Sequence, residues 1–450
     1  MSTIPRVADA MRHVLNCVAD EAATKSGFLK RHRKLDGASF VQALVFGWMA
    51  DPDATAEERA QVAASRAVPI SAYGLDKRCD ERGAECLRQV LAAAVEQVVI
   101  VASCPAAVAI LKRFSGVYLY DGSVIKLPEA LRELWPGLGG NRPGAGAAAL
   151  KIGVRLDLLS GELYGPVLGS GREHDHALAL GASELPEGAL RLADLGFFDL
   201  ELFRLSGERG GYWLSRLKGG TVVYDTATGT RLDLLACLRK HPSEGLVDRP
   251  VLVGAQAQLS GRLLAVRVPQ AVADERRRRM REDARKRQRA VSSAQLALAG
   301  WTILVTNAPP ELLSAEEALV LMRARWQVER LFDLWKRHGR LDKSRSKKPW
   351  RILCELYAKL LGLLVQHWVL LSGSFWTEPY HILVKAARTV RQRALALADA
   401  LNDPARLSEV LGIIADCLTV GCRVAKRRKE PGTAQQLLSL TGGGQEDAMA

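Results

Sequence analysis

Between Gly116 and Gly220 the residue pattern permits few folds. VYLYDGSVIKL alternates apolar and polar positions as a half-buried strand does, and ALKIGVRLDLLSGELYGPVLG reads as a hairpin turning at Ser160 and Gly161. HDHALALGASEL is compatible with a helix, LRLADLGF is a short strand that ends at Asp194, FDLELFRLSG is helical, and YWLSRLKGG is a fifth strand. Strand, hairpin, helix, strand, helix is therefore the order, with Asp121 on the first strand and Asp194 at the end of the fourth. Parallel strands joined by a crossover lie side by side in most sheets, so two acids that are far apart in sequence can meet.

That order is the one a ribonuclease H-like α/β core uses. The core expected here runs over residues 111–217, is interrupted by a mostly β insertion over 218–310, and resumes at 311–349 with a helix that starts near Ser314. TVVYDTAT, RPVLVGAQAQL and RLLAVRVP supply the strand-like segments of the insertion, and WTILVTNAP closes it. Residues 1–110 have helix-period apolar positions and form a helical N-terminal domain, assigned here to DNA binding. Residues 350–450 are a helical C-terminal region that ends in a flexible tail.

Charge indicates the partner. The formal net charge is +14, and the cations are clustered. Arg276–Arg289 carries nine Arg or Lys against two acids, and RHGRLDKSRSKKPWR and RVAKRRK are two further clusters. Such clusters serve nucleic acid through phosphate contacts, or else act as solvated faces. None lies on a helix with an aromatic insertion face, and no apolar run of membrane-spanning length is evident, so a membrane is not the expected partner. The start, MSTIPRVADAMRHVLNC, lacks a basic segment followed by an apolar core, and the eight cysteines include no CxxC pair. A cytoplasmic, nucleoid-associated protein with reduced thiols is the expectation.

The helix after the insertion contains Arg325-Trp-Gln-Val-Glu329-Arg-Leu-Phe-Asp-Leu-Trp-Lys336. At about 100° per residue, Arg325, Glu329 and Lys336 fall within roughly 40° of one another. A carboxylate between two cations on one stripe suits a metal ion held beside a phosphate, since the metal takes oxygen ligands and the phosphate takes Arg and Lys donors. A solvated salt-bridged face is the alternative. Two-metal phosphoryl transfer needs carboxylates that hold two divalent cations about 3.5–4 Å apart. Asp121, Asp194 and Glu329 are the candidates.

These motifs resemble those of DDE transposases of bacterial insertion sequences, specifically the insertion-sequence type-four family. Its signature is Tyr, two residues, Arg, three residues, Glu, six residues, Lys. Arg325, Glu329 and Lys336 match that spacing, and Met322 stands at the Tyr position. Asp121-Gly-Ser resembles the first catalytic Asp and Asp194-Leu-Gly-Phe-Phe-Asp the second, with Glu329 as the third acid. The resemblance implies Mg²⁺, with Mn²⁺ as a substitute, held by Asp121, Asp194 and Glu329. It further implies cut-and-paste transposition through a hairpin intermediate, double-stranded DNA with terminal inverted repeats and a target DNA as partners, and a homodimer on DNA. Arg216, Arg325 and Lys336 would contact DNA, as would Arg276, Arg277, Arg278 and Arg279 in the basic run. Trp301 lies where a hairpin-forming member has a Trp that fills the stack left by a flipped base; a core aromatic is its alternative. Asp333 stands where that member has a basic residue.

Other acids compete for the roles. Asp157, Asp199 and Glu201 can each replace a member of the triad, with Asp199 the nearest rival to Asp194. His174-Asp-His176 can be read as a metal pair, although imidazole suits Zn²⁺ better than Mg²⁺ and no third ligand lies at the right spacing. Two other functions fit the same fold: a ribonuclease H-like nuclease without strand transfer, and a non-catalytic DNA-binding regulator derived from a transposase.

Overall fold

A computed structural model describes residues 3–30, 35–97, 108–138, 147–175, 178, 180, 184–241, 245–372, 382–422 and 436. The chain is mixed α/β, and the described residues include nine strands in one sheet. The strands are β1 (Val117–Leu127), β2 (Ala148–Asp157), β3 (Leu163–Ser170), β4 (Leu190–Ala193), β5 (Tyr212–Arg216), β6 (Val223–Asp225), β7 (Leu246–Val253), β8 (Leu259–Arg267) and β9 (Trp301–Thr306). Their order is β3-β2-β1-β4-β5-β9-β8-β7-β6. By contacts the chain divides into two compact units. One holds Met1–Val108, Asp121–Leu180 and Trp326–Ala434; the other holds Ala109–Tyr120, Gly181–Arg325 and Gln435–Ala450.

The first unit is mainly helical. Helices Gly37–Ala50 and Glu81–Glu96 pack on the long helix Pro349–Leu371. Local chemistry fixes their ends: Asp36 and Asp80 accept backbone amides as N-caps, and Thr55 with Glu58 forms a reciprocal capping box at helix Ala56–Ser65. Pro349–Leu371 is, contrary to the expectation above, long and apolar enough to cross a membrane, but 94% of its most apolar window is buried inside the protein. It is the hydrophobic core of its unit. β2 is buried along almost its whole length, and it pairs antiparallel with β3 through a turn in which Gly161 adopts a φ of +76°. Asp157 is 6% exposed there and accepts hydrogen bonds from the amides of Leu159 and Ser160 and from the Ser160 hydroxyl. That turn is the expected one at Ser160 and Gly161.

The second unit is built on parallel pairs β1–β4 and β4–β5, followed by antiparallel pairs β5–β9, β9–β8, β8–β7 and β7–β6. The strands of residues 218–310 thus extend the same sheet through β9. The basic run lies on a helix, Gln270–Lys286. Arg262, 8% exposed on β8, anchors the return of the chain: it pairs with Asp248 and donates to the carbonyls of Ala308 (2.8 Å) and Leu313 (2.9 Å). A capping box of Ser314 and Glu317 starts the next helix, Ala315–Ala324, as the sequence suggests.

The segment Ala315–His338 is not one α-helix. Ala315–Ala324 ends at Arg325, Trp326–Asp333 follows, and Leu334–His338 is a π-helix. A π turn takes more residues than an α turn, so it rotates Lys336 off the stripe computed for ideal spacing. Half of HDHALALGASEL, read as a helix, falls outside the described residues, including His176, as do the RVAKRRK cluster and most of the C-terminal tail.

Candidate active site

The second unit places Asp194 directly after β4, where the strand gives way to a short turn of 3-10 helix. Its carboxylate lies 3.7 Å from Nη1 of Arg325, an Arg that is only 6% exposed. The β1–β4 register pairs Val117 with Leu190 and Leu119 with Leu192. Asp194 follows Leu192 by two residues, and Asp121 follows Leu119 by two.

Asp121 and Glu329 belong to the first unit, and both are half-buried. The Asp121 carboxylate accepts a hydrogen bond from the amide of Gly122 at 2.8 Å. Gly122 has little room on its other side, since a Cβ there would stand 3.1 Å from Oδ1 of Asp175. Asp175 is itself held at 2.9 Å by Lys151, a lysine of β2 that is 8% exposed and also donates to the Glu173 carbonyl. The glycine beside the first acid thus makes space for an ion pair between a buried lysine and a half-buried aspartate, a contact that no spacing rule in the sequence announces. Lys336 Nζ donates to the carbonyl of Val124 on β1 at 3.3 Å, which ties the π-helical segment to the strand that carries Asp121.

The rival acids have structural work. Asp199 caps helix Leu200–Glu208 by accepting from the amides of Glu201 (2.9 Å) and Leu202 (3.2 Å). Glu201 is exposed and pairs with Arg204, which holds its carboxyl below the usual range. Asp157 is spent on the hairpin turn. His174 is exposed.

Of the cations expected on DNA, Arg216 ends β5 and is exposed. It lies close enough to Arg276 to add, after burial, to the lowering of that guanidinium's pKa. Arg276 donates to the Trp301 carbonyl at 3.0 Å and to Oγ1 of Thr302 at 3.1 Å, and Arg277 donates to the Leu296 carbonyl at 3.0 Å. Both therefore hold their helix to its neighbours. Arg278 and Arg279 are exposed and share Glu275, whose carboxyl they pull down to about 2. Trp301 is 9% exposed at the start of β9, opposite Arg267. Its ring offers little face to a base, and in this arrangement it packs as a core aromatic. Met322 is 6% exposed, an apolar packing position where the resembled family has a Tyr.

Residues 112–365 match the family model described as Transposase DDE domain, which covers more than half of the chain. The chain belongs to the DDE transposase family of bacterial insertion sequences. The transposase is 27% identical over 379 residues to the transposase for insertion sequence element IS231F of Bacillus thuringiensis subsp. israelensis, covering 80% of this chain and 78% of that one. It is 26% identical over 374 residues to that of IS231B from B. thuringiensis subsp. berliner, at 79% and 77% coverage. With the transposase of IS1151 from Clostridium perfringens it shares 21% over 277 residues, 58% of each chain. A solved piggyBac transposase synaptic complex with hairpin DNA superposes with a TM-score of 0.44 over 95% of this chain and 87% of its own, at 9% identity. A likeness that distant carries no argument about this transposase.

DDE transposases use divalent metal ions, and the acids of this transposase fit one by chemistry: carboxylates are the hard oxygen donors that Mg²⁺ takes. Among the described residues no three His, Cys, Asp or Glu side chains are grouped as a metal cage. Mg²⁺ sites of this kind commonly use one or two carboxylates, with water and substrate phosphate as the other ligands, so the donor set remains suitable.

Proposed function

We propose that this transposase cuts DNA at the inverted repeats that end its element and joins the freed 3′-OH to target DNA, with Asp121, Asp194 and Glu329 as its catalytic acids. The observation that carries this reading is the parallel β1–β4 register, in which each strand acid follows the paired leucines by the same two residues. The strand order β3-β2-β1-β4-β5, antiparallel at β3–β2 and parallel at β1–β4 and β4–β5, supports a ribonuclease H-like core. The burial of Arg325 beside Asp194 supports a site that handles phosphate, because a buried guanidinium is a strong, oriented donor to phosphate oxygens.

In this reading Asp121, Asp194 and Glu329 hold divalent cations, Mg²⁺ with Mn²⁺ as substitute, which when bound supply Lewis-acid stabilisation of the phosphorane-like transition state. Arg325 orients the scissile phosphate and Lys336 the adjacent one. Cleavage, hairpin formation on the element end, reopening and joining are all in-line displacements at phosphorus, so one set of acids serves each in turn. Arg216 and the exposed Arg278 and Arg279 track the flanking duplex through salt-sensitive contacts. Two ends must be joined in one event, which calls for a homodimer on DNA.

The test is to replace each acid singly with alanine and assay Mg²⁺-dependent cleavage of an end-bearing duplex alongside its equilibrium binding. Each variant should lose cleavage and retain binding, whereas Asp199→Ala should cut. Cleavage retained by any of the three removes that residue from the set, and nicking without joining in the natural protein would favour a nuclease.

A further inference from the structure

The first unit buries an ion pair in the least expected place. Helix Pro349–Leu371 is apolar and enclosed, yet Glu355 and Lys359 lie in it one turn apart, 7% and 4% exposed, with Oε1 and Nζ at 2.7 Å. Taking two charges out of water is costly unless their remaining hydrogen-bonding capacity is used. Here it is used on a surface loop. Lys359 donates to the carbonyls of Arg340 (3.1 Å) and Lys343 (3.0 Å), and Glu355 Oε2 accepts from the Ser344 hydroxyl at 2.7 Å. The loop has further ties. Arg340 takes a left-handed φ of +46° and pairs with Asp53 at 3.0 Å, and the Leu341 amide donates to the Trp335 carbonyl at 3.1 Å. The amides of Ser346 and Lys348 donate to the hydroxyls of Ser344 and Ser346.

What this fixed loop displays is positive charge. Arg337, Arg340 and Arg351 are neutralised by Asp333, Asp53 and Asp76. Lys343, Lys347 and Lys348 are exposed and make no ion pair among the described residues. Lys343 also lines a cavity of about 270 Å³ together with Lys126, at the far end of the strand on which Lys336 rests. A merely solvated charged loop has no need of a buried anchor, whereas a loop that must meet a regular array of phosphates gains affinity when its ordering cost is already met in the free protein.

We propose that the loop over residues 339–348 is a preformed surface for the phosphates of duplex DNA, with Lys343, Lys347 and Lys348 as the contacts and Glu355 and Lys359 as positioning residues. This rests on the reading of the chain as a DNA-handling enzyme and is independent of the assignment of its acids.

The experiment measures equilibrium binding of the full chain to a duplex of arbitrary sequence, without divalent cation, over a range of KCl concentrations. Because no cleavage is involved, failure of the acid assignment leaves the result untouched. For Lys343→Ala/Lys347→Ala/Lys348→Ala the slope of log affinity against log salt should be shallower by up to about 2.7, at about 0.9 per phosphate contact. Over a fourfold rise in salt the natural protein then loses roughly 40-fold more affinity than the variant. Glu355→Leu/Lys359→Met keeps every surface lysine and replaces the pair with apolar groups of similar bulk. It should retain its melting temperature, exchange the Leu341 and Lys343 amides faster, and have a shallower slope. If that variant does not fold, Ser344→Ala, which removes the loop's bond to Glu355 together with the acceptor of the Ser346 amide, should shift exchange and slope in the same direction. An unchanged slope in the lysine variant overturns the surface. A shallower slope there with an unchanged slope in the folded anchor variants overturns the positioning role.

Discussion

His367 gives the structure a measurable dependence on pH. It lies on helix Pro349–Leu371, is 2% exposed, and its Nε2 stands 2.7 Å from the carbonyl of Gly161 at the tip of the β2–β3 turn. A carbonyl only accepts, so the imidazole donates through Nε2–H and can do so while neutral. Burial pushes its pKa from the usual 6.5 down to about 4, with the Gly161 carbonyl pulling weakly the other way. The folded state therefore binds this proton less readily than the unfolded chain does. The stabilisation is fully present above pH 6.5 and is lost as pH falls from there toward 4. A depression of that size limits the effect to about 3 kcal/mol, of which about 2 kcal/mol is lost between about pH 7.5 and about pH 5. Urea unfolding of the natural protein and of His367→Gln at both pH values isolates the term, since Gln can donate to Gly161 but has no proton to gain. The natural protein should lose about 2 kcal/mol more than the variant on acidification. Equal losses in the two proteins would refute the argument, because then His367 is either protonated in the folded state or solvated there.

Three further outcomes are expected. Trp301→Ala should destabilise the protein by about 3 kcal/mol in urea unfolding, as the loss of a buried aromatic does; a cost below about 1 kcal/mol with selective loss of hairpin formation would restore a base-stacking role. Arg276→Ala should cost about 1–2 kcal/mol by removing two hydrogen bonds to the β9 end of the sheet, whereas Arg279→Ala should leave stability within about 0.5 kcal/mol and make the salt dependence of DNA binding shallower by about 0.9. The reverse pattern would exchange their roles. Met322→Tyr should change the cleavage rate by no more than about tenfold, near 1.4 kcal/mol of barrier, because Met322 is a buried packing position; an inactive natural protein rescued by Tyr would show that the position is chemical.

The identity of the chain was legible in its sequence because the chemistry is written locally. Arg325, Glu329 and Lys336 keep the family spacing, and the alternation of VYLYDGSVIKL and the cap at Ser314 depend only on neighbouring residues. The strand carrying Asp121 followed from period-two patterning for the same reason. What lay outside that reach was every fact that depends on which side chains meet across the fold. The spacing of Glu329 and Lys336 could not show that a π turn lies between them, with Leu334 and Trp335 buried and Lys336 bonded to the Val124 carbonyl. The Arg run read as one charge, and tertiary contacts divided it into Arg276 and Arg277, which bind the sheet and a neighbouring helix, and Arg278 and Arg279, which face solvent. Glu355 and Lys359 were visible as an acid and a base four residues apart in an apolar helix, but only the folded chain gave that pair its loop, because the carbonyls of Arg340 and Lys343 come from outside the helix. Sequence fixes chemistry where the partners are near in the chain; where they are distant, the hydrogen bonds and burial that decide a side chain's role exist only after the fold has brought the partners together.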